Sequence, residues 1–359
     1  MQPIHQSKVL QDITDGDFLS QQLLRQEDSE TPTISLLFYS DELELSNALG
    51  AAAGSHKILV VYFSDLNYLH ERGVHAQWKH FNVVTVAFTG DNLSMHKMAG
   101  LQCCFNSGRI CRFCLVRYGH LQKFFSEADC TMRTRAGHES HLKAFSLNPA
   151  QNGPLYGISA IPPLQSIAEF DITSQLPPDA MHDILEGGMG VVMQRDLHGL
   201  VEDGTLQKSD VNKVKSFTYG FHDKKAAPVA PKGKFLQGKT DLRGAASQKW
   251  CLFRLLPQIS GDSVPSYNPH WLVDVAYRHC IDIILAERIP RDCISYLQLK
   301  IQEFLEAFTL LYLSAPVTAK LHYLLHYPGF IQRFGPPRRY WGMRFEAKHA
   351  YFKTIALNV

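Results

Sequence analysis

Three apolar, β-rich runs lie close together between residues 33 and 91 (SLLFYSDE, HKILVVYFSDL and NVVTVAFTGDN), and downstream of them the apolar periodicity becomes helical. A chain ordered in this way has to build one small sheet near its front and cover it with a long helical remainder. The stretch NALGAAAGS between the first two runs reads as a turn, with Gly and Asn suited to left-handed backbone. Such a short link predicts an antiparallel meander of the three strands.

The first and third runs end at Asp41 and Asp91. Strand ends deliver side chains to ligands, and two carboxylates delivered side by side can hold a divalent metal. Each aspartate alone reads more often as a turn residue. A third acid, Glu346, falls on a helix-like stretch, RYWGMRFEAKHAYFK, flanked by Arg344, Lys348 and His349. Two-metal phosphoryl transfer needs such hard oxygen donors: one carboxylate bridges the ions and the others hold one ion each.

Composition narrows the class. At 359 residues, 45% hydrophobic and 19% charged, the chain has enough material for a globular core. No apolar run is long enough to span a bilayer, and MQPIHQSKVLQDITDGDF lacks the pattern of a secretory signal. An intracellular, membrane-free protein is therefore expected. A net charge of +2 leaves nucleic acid to be bound only by a local patch. Two patches qualify. Lys224, Lys225, Lys232, Lys234 and Lys239 fall in a Lys, Gly and Pro-rich stretch, residues 222–243, that reads as a flexible linker. Arg338, Arg339, Arg344 and Lys348 surround Glu346, with Tyr340 and Trp341 interleaved, and suit a DNA backbone and an unpaired base.

Five of the eight cysteines fall between Cys103 and Cys130. Cys111-x-x-Cys114 has the spacing of half a tetrahedral zinc site. The candidates to complete it are Cys103, Cys104, Cys130, His138, His141 and His182. The pair His322 and His326, at i and i+4 on the apolar stretch LHYLLHY, can bind metal but reads more readily as core or interface. Asp179 and His182, at i and i+3 after Pro177-Pro178, share one helix face and can serve the acidic cluster or the zinc; Asp179 also reads as an N-cap. Asn92 or Ser94 is the expected cap of the helix after Asp91, and residues 136–178 read as loop-rich.

The order of these pieces resembles the transposases of CACTA (En/Spm-like) DNA transposons and their animal relatives. The strings that carry the resemblance are FYSDELELSNALG, GSHKILVVYF, TGDNLSMHKMAGL, ICRFCL, LPPDAMHDILEG, KWCLFRLLP and LHYLLHYPGFIQRFGPPRRYWGMRFEAKHAYFK. The resemblance implies an α+β fold: an RNase H-like catalytic core interrupted by a long, mainly helical insertion. It implies a catalytic triad of Asp41, Asp91 and Glu346 binding Mg2+ or Mn2+, a C-x-x-C signature at Cys111 and Cys114, and a D-x-x-H signature at Asp179 and His182. DNA is the implied substrate, the nucleus the implied location, and self-association an implied property. Zn2+ is the second expected ion, on Cys111, Cys114 and His182. The expected organisation is an extension at 1–32, the first half of the core at 33–100, the insertion at 101–335 and a catalytic helix at 336–359. The short stretch from Leu66 to Asn82 and the stop at Val359 suggest a truncated or domesticated copy. The alternative function is a catalytically inactive, transposase-derived module that binds DNA or protein. A metallohydrolase using His182 and the acids on its helix ranks behind both.

Overall fold

The computed structural model describes residues 8–24, 31–40, 43–44, 57–58, 72, 74–76, 79–167, 169–313 and 317–346. Asp41 and Lys348 lie outside them, as does most of the run HKILVVYFSDL. The protein is of mixed α/β type, mainly helical with a small β part, in keeping with the α+β class.

The main sheet contains β1 (Thr33–Ser40), β2 (Val74–Ala76) and β3 (Lys79–Gly90) in the order β1-β3-β2. The expected antiparallel meander is not what forms: β1 and β3 pair in parallel, and only β2 and β3 are antiparallel. The reason is in the third run. Val83, Val84, Val86, Ala87 and Phe88 are all buried, which suits a central strand covered on both faces rather than an edge. The chain between Ser40 and Lys79 is long enough for the crossover that a parallel pair requires. Within the middle run, Lys57–Ile58 pairs instead with Leu43–Glu44 as a separate ribbon.

A bulge interrupts the β1–β3 register, so that Leu36 faces Thr85 but Leu37 faces Ala87. Gln175 repairs it. Its side-chain amide donates to the Thr85 carbonyl (2.9 Å) and the Val86 carbonyl (3.1 Å), and its own carbonyl accepts from Phe88 N–H (3.0 Å). The extra residue lets neighbouring side chains serve two cores. Val86 and Ala87 belong to the large helical core, while Phe88 joins a smaller one with Met95, Leu142, Ile167 and Phe170.

Asp91 itself caps α2 (Asn92–Met98), accepting from Ser94 N–H at 2.6 Å, in place of the expected Asn92 or Ser94. The stretch expected to be loop-rich carries α3 (Arg135–Leu147), capped by Thr134, and a second helix, Pro149–Tyr156. Proline at the first position of that helix costs no hydrogen bond and presets its φ. Met181–Gly188 is wound as a π-helix that passes into α4 (Met189–Glu202). Then come α5 (Ala246–Ser260), α6 (Pro269–Ile284), α7 (Cys293–Leu311) and α8 (Tyr327–Phe334). The segment read as a flexible linker is folded against α4. Phe235 and Leu236 are buried, the Leu236 carbonyl lies 2.9 Å from His198 Nδ1, and the Thr240 carbonyl accepts from Gln194 at 2.5 Å. Its buried apolar residues, Phe235, Leu236 and Leu242, decided the outcome over its lysines.

The N-terminal segment is part of the same body. Val9–Leu10 pairs with Ile289–Pro290, and Phe18 of α1 (Asp17–Leu24) packs on Phe334 with ring centroids 5.4 Å apart. Arg291 donates to the Asp17 carboxylate at 2.9 Å.

Candidate metal centre and acidic site

Cys111 and Cys114 sit in a loop pinned on both sides. Arg133 N–H donates to the Phe113 carbonyl and Leu115 N–H to the Thr131 carbonyl, each at 2.8 Å. Phe113 N–H also points at Cys111 Sγ (3.3 Å), the backbone-to-sulfur contact expected of a knuckle that presents a thiolate. Against this loop lies a helical segment begun by Thr318, whose hydroxyl accepts from Leu321 N–H. It continues through Ala319–His322 and Tyr323–His326. His322 and His326 are thereby aimed at the two sulfurs.

Cys111 Sγ is 3.5 Å from His326 Nε2, Cys114 Sγ is 3.3 Å from His322 Nε2, and the two Nε2 atoms are 3.4 Å apart. All four donor atoms lie within 4.8 Å of one another and all four residues are buried. Zinc bonds of about 2.3 Å to sulfur and about 2.0 Å to nitrogen imply tetrahedral edges of roughly 3.3–3.8 Å, so the donor set fits such an ion. A carboxylate orients the second layer: Glu127 Oε1 is 2.7 Å from His326 Nδ1. Burial opposes ionisation of Cys111, yet hydrogen bonding from Cys114 and the nearby His326 and His322 hold its thiol well below the ordinary value. Cys114, bonded to Cys111 and Cys130, is pushed well above it. Burial would lower His326, but Cys111 and Glu127 raise it to about 9. This buried Cys2His2 group could bind a metal such as zinc.

His182, expected as a zinc ligand, is not in this group. Of the other expected candidates, Cys103 and Cys104 are exposed and Cys130 half-buried, none of them in a disulfide, and His141 stacks on Tyr156 (centroids 3.9 Å). The histidines that complete the set are the pair whose i, i+4 spacing admits a metal, matching the histidine half of a Cys2His2 site, although their apolar flanks favour core.

Asp91 and Glu346 lie elsewhere. Ser40 pairs with Gly90 in parallel register, so the residues that precede Asp41 and Asp91 are neighbours at one end of the sheet. A Cβ on Gly90 would come 2.1 Å from the Ser40 carbonyl oxygen, which makes glycine obligatory at this close approach. Glu346 reaches the same end from the far side of the sequence. Phe345 stacks on Tyr39, the penultimate residue of β1, with centroids 4.6 Å apart and planes 3° from parallel. Glu346 Oε1 contacts His182 Nε2 at 3.2 Å, and His182 Nδ1 contacts Asp179 Oδ2 at 2.7 Å. Burial alone would lower the His182 pKa, but the hydrogen bonds to Asp179 and Glu346 raise it to about 10. The ring therefore donates from both nitrogens. The expected convergence of Asp179 and His182 is present, and it serves the acid rather than the thiols.

One side chain joins the two centres. Arg112, between the two ligand cysteines, donates to Asn92 Oδ1 (2.5 Å), the Leu176 carbonyl (3.1 Å) and the Pro177 carbonyl (3.0 Å). Asn92 in turn donates to Asp183 at 2.5 Å. Burial raises the Asp183 pKa, and Arg112 works against that rise.

Two of the four expected DNA-binding cations have structural partners. Arg338 pairs with Glu287 (3.1 Å) and lies 5.5 Å from the ring centroids of both Trp250 and Trp341, and Arg339 donates to the Gln11 carbonyl at 2.6 Å. Arg344 is exposed. No protein-family model matches this chain, and no curated protein matches its sequence.

Proposed function

We propose that the protein is a transposase-like, RNase H-like enzyme of the DDE type, which cleaves and joins DNA with Asp41, Asp91 and Glu346 as its acidic set. The observation that carries this reading is the convergence on one sheet end: parallel pairing of Ser40 with Gly90, and Phe345 stacked on Tyr39 beside Glu346. Carboxylate oxygens are the hard donors that Mg2+ or Mn2+ prefers. Bound there, the ions would activate the attacking oxygen and offset charge on the leaving one. Asp91 and Glu346 supply donors at this end, and the side chain of His182 keeps Glu346 facing it. The buried Cys2His2 group is structural in this reading. It ties the C-x-x-C loop to the segment before α8, and through Arg112 it braces Asn92, the residue after Asp91. DNA as partner, a nuclear location and self-association belong to the same proposal.

The test is nicking of supercoiled plasmid in Mg2+ or Mn2+ by wild-type protein and by Asp91→Asn. Asparagine caps helices as well as aspartate does, so this change removes the charge and spares α2. Nicking that is abolished by Asp91→Asn and by Glu346→Gln is the expected result; nicking unchanged by either would sink the assignment. One observation favours the non-catalytic alternative: both acids already have protein partners, Ser94 N–H for Asp91 and His182 for Glu346. If millimolar Mn2+ fails to bind wild-type protein at this end, the binding-module reading replaces the enzymatic one.

A further inference from the structure

The pair Asp179 and His182 has a geometry that neither capping nor metal ligation explains. Asp179 is 1% exposed and both of its oxygens are occupied. Oδ1 accepts from Met181 N–H (3.0 Å) and from Gly342 N–H (2.9 Å), while Oδ2 takes His182 Nδ1 at 2.7 Å. The bond to Gly342 crosses 163 residues of sequence. His182 spends its second nitrogen on Glu346, so it has no lone pair to offer an ion. The backbone at 182 is held as well, its carbonyl accepting from Lys320 Nζ at 2.8 Å.

Gly342 and Glu346 are the two ends of one helical turn, with Glu346 N–H donating to the Gly342 carbonyl at 2.9 Å. Fixing the Gly342 amide sets where that turn begins, and fixing the Glu346 carboxylate sets which way its last side chain points. The Tyr39–Phe345 stack then sets how the turn is rotated against β1. The contact leaves no room for a side chain at 342. A Cβ there would sit 2.6 Å from Asp179 Oδ2 and 3.3 Å from both His182 Cε1 and Tyr39 Cε2.

We propose that Asp179 and His182 are positioning residues that dock the turn Gly342–Glu346 onto the end of β1 and hold the Glu346 carboxylate in place. The role assigned to Glu346 rests on the function proposed above; the docking does not. Two measurements separate them. The first is amide hydrogen exchange of residues 340–346, with α7 as the internal control. Asp179→Ala and Gly342→Ala should each speed exchange across this turn about tenfold or more and leave α7 unchanged, because each opens the same local unit. The double variant should be no worse than the worse single one, since both changes cut one contact. The second is Mn2+ binding followed by electron paramagnetic resonance, in which His182→Ala should weaken affinity by about 10–100-fold. Unchanged exchange in Gly342→Ala, which keeps every charged group, overturns the docking. Unchanged Mn2+ affinity in His182→Ala overturns the positioning of the carboxylate. A wild-type protein that binds no Mn2+ removes the catalytic reading and with it the positioning of a ligand, while the exchange data still decide the docking.

Discussion

Loss of one ligand from the Cys2His2 group should lower stability by an amount the topology sets. A metal there links Cys114 to His322 across 208 residues and Cys111 to His326 across 215. Treated as a single cross-link closing a loop of that size, it restricts the unfolded chain by about 5 kcal/mol. The per-residue unfolding entropy of globular proteins, about 2.1 cal/mol/K, makes 359 residues worth about 0.75 kcal/mol/K. Cys114→Ser should therefore lower the Tm by about 7 °C if the chain melts as one unit, and a chelator should lower wild-type protein by a similar amount. Differential scanning calorimetry gives the shift, and elemental analysis gives the metal content: one zinc per wild-type chain and a large loss in the variant. Wild-type protein purified without metal, melting identically with and without added zinc, would refute the reasoning. So would a Cys114→Ser protein that kept its metal.

Three further outcomes follow from buried groups and backbone. Asp196 is buried beside Asp274, which has Arg278 as its own partner, while Asp196 takes only the Tyr312 hydroxyl at 2.7 Å. Burial, then the neighbouring Asp274, hold its pKa well above the ordinary value. Its contribution is fully present below the unfolded-state pKa and is lost as pH rises through the folded one. Asp196→Asn should thus be at least as stable as wild type at neutral pH and flatten urea-derived stability between pH 4 and 7, since the amide oxygen still accepts from Tyr312; a marked loss at pH 7 would count against it. Gly335→Ala should cost roughly 1–3 kcal/mol from strain alone and more from a clash, because Gly335 has φ +74° and its Cβ would meet the Asp12 carbonyl oxygen at 2.3 Å; a urea midpoint equal to wild type would contradict this. Arg112→Ala should leave the Leu176 and Pro177 carbonyls without their donor at about 1–3 kcal/mol each, and should loosen exchange at Asn92 although zinc content stays full; unaltered exchange there would show that the arginine carries no coupling.

The sequence was most legible where one residue type meets one backbone need. Helices from Ala246 onward were readable from their periodicity, and the spacing of Asp179 and His182 pointed to their contact, although Asp179 lies just before the helix rather than on its face. Strand order was not legible, because a buried central strand and a buried edge strand look alike until the partner on each face is known. The capping role of Asp91 was missed since an aspartate at a strand end is also an aspartate at a helix start. The spacing of His322 and His326 admits a metal, but the sequence favours core. Their burial among Tyr323, Leu324 and Leu325 makes them look like core, and nothing local reveals two thiols arriving from position 111. The lysine-rich stretch at 222–243 misled through composition, since Phe235, Leu236 and Leu242 anchor it to the helical core.

The span between the ligand pairs has a consequence for synthesis. Ribosomes add about 5–20 residues per second, so roughly 10–40 s separate the emergence of Cys114 from that of His322. Leu10 waits longer still for the strand at Ile289–Pro290. Through that interval the C-x-x-C loop has neither its histidines nor its cover, and its thiols are open to oxidants and to any metal within reach. A nascent chain of this design has to be escorted or kept in a reducing, zinc-buffered setting until its last helices arrive. Expression at low temperature with added zinc should raise the soluble yield more than either measure alone.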